Sequence, residues 1–195
     1  GLYPENMQAR NNLGVAKYRL SMQRSEAKHQ YKISSDIDPR TRVPKIRVRE
    51  DKVLAFYPEV AQMVEAASIF ESVLRRDPEY QRALLNLGAA RLALGENDQA
   101  LNCFQRAQKL KNTAEVKNNL AVSLLIAGKL EEGEKLLVQV LKVHPAFADA
   151  HFNMAHLQAR LKRPDQARKH YLAYLKLDKS SGWAEAARQA MRELH

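Results

Sequence analysis

Three stretches of this chain repeat one another in phase, and that repetition restricts what it can fold into more than any other feature. Leu87-Gly88 in LNLGAARLAL is followed by Leu120-Ala121 and Met154-Ala155, at intervals of 33 and 34 residues. Twelve residues beyond each small residue stands another, Ala100, Gly133 or Ala167, and four further on a bulky one, Phe104, Leu137 or Tyr171. A unit this short cannot bury an apolar face alone, so units in register must stack on one another.

The spacing predicts two amphipathic helices per unit, with apolar residues at three- and four-residue steps. Gly95 and Gly128 fall in the turn between them, where a residue free to take positive φ stops the first helix. Small residues allow close helix approach and the bulky residue fills the space beside them. Asp77-Pro78 and His144-Pro145 break the second helix before the next unit begins.

This pattern resembles the tetratricopeptide repeat, whose signature is W-x2-L-G-x2-Y…A-x3-F…P over 34 residues. Leu84, Leu87, Gly88, Ala100 and Phe104 match it. Leu84, Lys117 and His151 replace the first tryptophan, and Arg91 or Leu124 replaces the tyrosine. The resemblance implies an all-α, right-handed α-solenoid of antiparallel helix pairs, acting as a protein-interaction module. The terminal stretch ARKHYLAYLKLDKSSGWAEAARQ resembles that of many bacterial members.

The array is expected to run as one domain, with units 7–39, 40–80, 81–113, 114–147 and 148–181 and a capping helix at 182–194. Leu13-Gly14, Ala27, Tyr31 and Pro39 make the first unit, with one extra residue in its turn. Ala66, Phe70, Val73 and Pro78 mark the second helix of the next, whose first part is degenerate. Residues 40–58 carry Pro44 and Pro58 and are read as an irregular insertion, with a short helix around 50–56. Trp183, Ala187 and Met191 lie on one side of the last helix, capped by Ser180 or Ser181.

Chemistry-bearing constellations are missing from the sequence. Five of its glycines are used by packing and turns, leaving no phosphate-cradling motif. The six histidines show no H-x-x-x-H spacing, and Cys103 has no marked basic partner. The chain is therefore expected not to be an enzyme and to need no cofactor. A single cysteine makes no internal disulfide, and no apolar run approaches the roughly 18 residues of a membrane span. No signal-peptide pattern opens the chain, so a cytoplasmic location is expected, with an anchor or signal upstream left open.

The net charge of +10 is spread along the chain rather than gathered on one face. The densest basic run, RTRVPKIRVREDK at 40–52, supports an alternative reading as a contact for nucleic acid or another anionic surface. A further alternative is a regulatory domain of a larger protein.

In the resembled family the first helices line a concave groove. Asn12, Asn86, Asn119 and Asn153 each precede the small-residue anchor, and an amide ladder of that kind can grip a peptide backbone. Around it the same faces present Leu85, Ala89, Asn118, Val122, Leu125, Phe152 and His156, with Arg82 and Arg160 nearby. The lysines and arginines of the family's two-carboxylate clamp are replaced here by Leu85, Ala89, Asn119, Asp149 and Asn153. The expected partner is therefore a protein or peptide whose apolar or amphipathic segment lies in the groove, and not an acidic chaperone tail. Nucleic acid is the lesser expectation, and membrane contact is expected only through a partner or a missing segment.

Overall fold

The computed structural model describes residues 7, 8, 10–16 and 60–194. Within them all regular structure is helical. The first helices are α1 (10–16), α3 (Gln81–Ala93), α5 (Ala114–Ile126) and α7 (Ala148–Arg160). They alternate with the second helices α2 (Val60–Leu74), α4 (Asn97–Leu110), α6 (Leu130–Val143) and α8 (Pro164–Leu177), and α9 (Gly182–Arg192) closes the series. From α2 onward each helix packs on the next, and α3, α5 and α7 also touch in sequence. This is the stacking of an α-solenoid.

The turns inside three units are the same motif. The amide of Glu96 donates to Arg91 O, that of Lys129 to Leu124 O and that of Arg163 to Gln158 O, at 2.8–2.9 Å. Such a bond, six residues back to one, closes a helix through a left-handed residue. Gly95 and Gly128 take that place with φ of 77°, as the sequence predicts, whereas the third unit puts Lys162 there at φ 54°. At the other end, Ser181 Oγ accepts from the amides of Trp183 and Ala184, which identifies Ser181 as the cap of α9.

Small and large residues meet as the spacing requires. A Cβ at Gly88 would stand 2.5 Å from the Phe104 ring. The third unit has Ala155 in the corresponding place, and the middle unit inverts the arrangement. There the glycine is Gly133 on the second helix, where a Cβ would stand 2.6 Å from the Leu125 side chain.

The expected helix character needs correction. Second helices are amphipathic: α4 buries only Ala100, Cys103, Phe104 and Ala107. First helices are not. α3 is buried without a break from Ala83 to Ala90, and α5 from Asn118 to Leu125. The reason is the number of neighbours: α5 is held by α4, α6, α3 and α7 together.

The N-terminal pairing also differs from the expected unit 7–39. A Cβ at Gly14 would stand 2.6 Å from the ring of Phe70, the same relation that Gly88 has to Phe104. Gln8 accepts from Tyr80 Oη at 2.5 Å, and Asn11 accepts from Asn86 at 3.0 Å, which seats α1 beside α3. The partner of α1 is thus α2, and residues 17–59 lie between the two in the chain. The expected Ala27, Tyr31 and Pro39 and the insertion 40–58, with its basic run, lie outside the described residues.

Candidate functional site

The residues expected to line an open groove lie on α1, α3, α5 and α7, and the structure puts most of them inside. Leu85, Ala89, Val122 and Leu125 are all buried and belong to the hydrophobic core. Leu125 is pressed against Gly133, and Leu85 and Val122 share the core that joins α2 to α5. Their apolar character is used by unit-to-unit packing, so they are not the exposed lining that the sequence suggested.

Phe152 is the centre of an aromatic cluster rather than a groove floor. Its ring stands edge-on to Tyr171, Tyr174 and Trp183, with centroids 6.0, 5.1 and 5.2 Å away, and His156 lies tilted at 4.8 Å. Edge-to-face pairs add roughly 0.5–1.5 kcal/mol each beyond area burial. Trp183 comes from α9, so the chain's own last helix covers this end of the first-helix face.

The amide ladder exists, in a different register from the one expected. Asn86 Nδ2 donates to Asn11 Oδ1 at 3.0 Å, and Asn153 Nδ2 donates to Asn118 Oδ1, also at 3.0 Å. Asn118 Nδ2 in turn reaches Asn119 Oδ1 at 3.4 Å. Asn12 is not part of the chain of amides: it is half-buried and accepts from Gln8 one turn away. The five linked asparagines are at most 2% exposed. The ladder stops between α3 and α5, where Asn86 Oδ1 is an acceptor without a partner and Asn119 Nδ2 a donor without one. Ser123 Oγ, one turn along α5, is also unpartnered, as is Asn11 Nδ2 at the far end. A buried polar group left unpaired costs about 1–3 kcal/mol.

The two expected basic residues part company. Arg82 is exposed, whereas Arg160 is half-buried and donates to Leu125 O at 3.0 Å, neutralising the negative end of α5. Asp149, at a clamp position, is buried in the first turn of α7.

Cys103 is buried and its thiol is pushed up from the usual value by that burial, which disfavours the thiolate a nucleophile needs. No group of three or more His, Cys, Asp or Glu among the described residues is placed to hold a metal ion. None of the described helices is long and apolar enough to cross a membrane.

One pair of residues escaped the sequence reading. His151 on α7 and His170 on α8 face each other with their Nδ1 atoms 3.0 Å apart, and His151 Nε2 lies 2.9 Å from Pro145 O. Burial, then the neighbouring His151 and Lys169, lower the pKa of His170 to about 4. Two histidines on different helices leave no spacing signal in a sequence. They stand beside a cleft of about 610 Å3 on the outer face of α8.

Two tetratricopeptide-repeat family models match the chain, one over residues 61–121 and the other over 118–182. No curated protein matches it in sequence. Among solved structures, TTC0263, a thermophilic protein of this repeat class from Thermus thermophilus, superposes with a TM-score of 0.59 at 23% identity, over 70% of this chain and 74% of that one. MamA superposes at 0.53 with 18% identity, over 69% of this chain and 78% of that one. YrrB, a repeat protein described as having an unusual peptide-binding site, gives 0.50 at 17% identity, covering 69% and 73%. At these identities the likeness is one of fold.

Proposed function

The chain belongs to the tetratricopeptide-repeat family, and on that premise we propose that it is a non-enzymatic adaptor holding a polypeptide segment at the junction of α3 and α5. One observation carries the reading: the amide ladder ends there in a buried acceptor, Asn86 Oδ1, and a buried donor, Asn119 Nδ2. A peptide group offers one N–H and one C=O, so the backbone of a partner carries what both atoms lack, and reaching them requires the buried α3–α5 contact to open. The adaptor role follows from the family, and the ladder supplies the polar part of the contact.

The test separates a binding ladder from a purely internal one. A partner is first captured with the intact chain and identified by mass spectrometry. Its affinity is then measured for the Asn86→Leu/Asn119→Leu double variant. Leucine removes two buried unpaired atoms but also the bonds to Asn11 and from Asn118, so the variant is expected to lose about 1–3 kcal/mol of stability. The expected result is an affinity loss of at least about tenfold, measured at a temperature where circular dichroism shows both proteins fully folded. Unchanged affinity would confine the ladder to holding α3 beside α5 and overturn the reading.

A further inference from the structure

The large apolar side chains exposed on α2–α8 all belong to second helices: Val64, Leu110, Val138, Val143, Leu172 and Leu177. Two of them, Leu172 and Leu177, share a cleft of about 610 Å3 on α8. The core takes Ala167, Tyr171 and Tyr174 from this helix and leaves Leu172 and Leu177 47% and 45% exposed. A polar residue would serve a solvent face better.

The cleft has a definite chemistry. Leu172, Ala173 and Leu177 form an apolar floor along α8, and Pro145 and Ala146 of the turn before α7 wall it on one side. Arg168, Lys169 and Lys176 line it beside these apolar residues, and none of them is paired with an acid among the described residues. Asp165 is the one acidic lining residue, placed in the first turn of α8 where the helix dipole favours it. The lining is thus net positive, and its apolar part on α8, Leu172 to Leu177, runs about one and a half helical turns.

We propose that this cleft is a docking surface for an amphipathic acidic helix of a partner protein, separate from the α3–α5 junction. Apolar residues at helical spacing seat on Leu172, Ala173 and Leu177, and flanking carboxylates meet Arg168, Lys169 and Lys176. A second copy of this chain is the poorer occupant. The chain carries a net charge of +10, so two copies repel on approach, whereas an acidic segment is drawn in.

Fluorescence anisotropy tests this with the full chain and two labelled amphipathic peptides. Both present leucine on one face; one carries glutamate on the other face and its counterpart lysine. The glutamate peptide is expected to bind at least about tenfold more tightly than the lysine peptide. Leu172→Glu should weaken it by about tenfold or more, while Arg168→Glu/Lys176→Glu reverses the preference. Because Leu172 is 47% exposed, the single variant should melt with the parent; if it does not, Leu177→Gln replaces it. The Asn86→Leu/Asn119→Leu variant should bind the glutamate peptide unchanged, which keeps failure of the two sites distinguishable. Equal binding of the two peptides, no binding, or an unaffected Leu172→Glu variant overturns the proposal. So does self-association in sedimentation that Leu172→Glu abolishes, since that assigns the cleft to a second copy.

Discussion

The inner layer of first helices and the outer layer of second helices solve different problems with similar amounts of apolar side chain. Leu120 on α5 and Val138 on α6 belong to the same unit, yet one is 5% exposed and the other 52%. Of the inner helices, α3, α5 and α7 meet three or four others and bury most of their positions, so nearly every one must fit. Outer helices bury one stripe and leave the rest of their surface free. The comparison teaches that an apolar residue on a repeat helix is not by itself evidence of a binding face; what decides is how many neighbours the helix has.

The largest expected effect breaks the inner layer. Leu120→Asp places an unpaired carboxylate where units meet and should cost about 3–5 kcal/mol. The matched Val138→Asp should stay within about 0.5 kcal/mol of the parent. A thermal melt followed by circular dichroism checks both, and similar losses for the two would erase the distinction between layers.

A finer cut compares the two close-approach glycines. Gly88→Ala drives a methyl into the edge of the buried Phe104 ring, at 2.5 Å, and should destabilise by about 1–3 kcal/mol. Gly133→Ala meets the mobile end of Leu125 at 2.6 Å and the Ala121 carbonyl oxygen at 3.2 Å. A leucine methyl can turn away, and alanine gains up to about 1 kcal/mol of helix propensity, so the outer-layer change should cost clearly less. Urea unfolding midpoints rank the pair; the reverse order would show that the Phe104 ring, and not Leu125, has room to shift.

The smallest effect lies in the turn that joins the layers. Lys162 holds a left-handed φ of 54° where its two counterparts are glycine. Lys162→Gly should stabilise the third unit by roughly 0.5–1 kcal/mol, read as a rise in melting temperature. A fall would mean that the lysine side chain contributes more than its backbone strain costs.

The parts that were legible in the sequence are those set by local stereochemistry. Gly95, Gly128 and Ser181 announce turn and cap through their residue type alone, and the phase of Gly88, Ala100 and Phe104 gives the helix pair. Placement against distant chain was less legible. Gly14 is followed at nearly the right distance by Ala27 and Tyr31, and a period cannot reveal that Phe70 is the residue it packs on. The groove failed for a related reason: helical spacing places Leu85, Val122 and Phe152 on a face, but not the neighbours that cover it. Trp183 was read as the core side of a cap, without the information that Phe152 would be beneath it.

The pairing of α1 with α2 also sets how much chain must be closed when the molecule folds. Gly88 and Phe104 are 16 residues apart, whereas Gly14 and Phe70 are 56 apart. For flexible chain of these two lengths the longer closure costs about 1 kcal/mol more entropy. Contacts within 81–110, 114–143 and 148–177 join residues near in sequence, whereas the contact of α1 with α2 joins residues far apart.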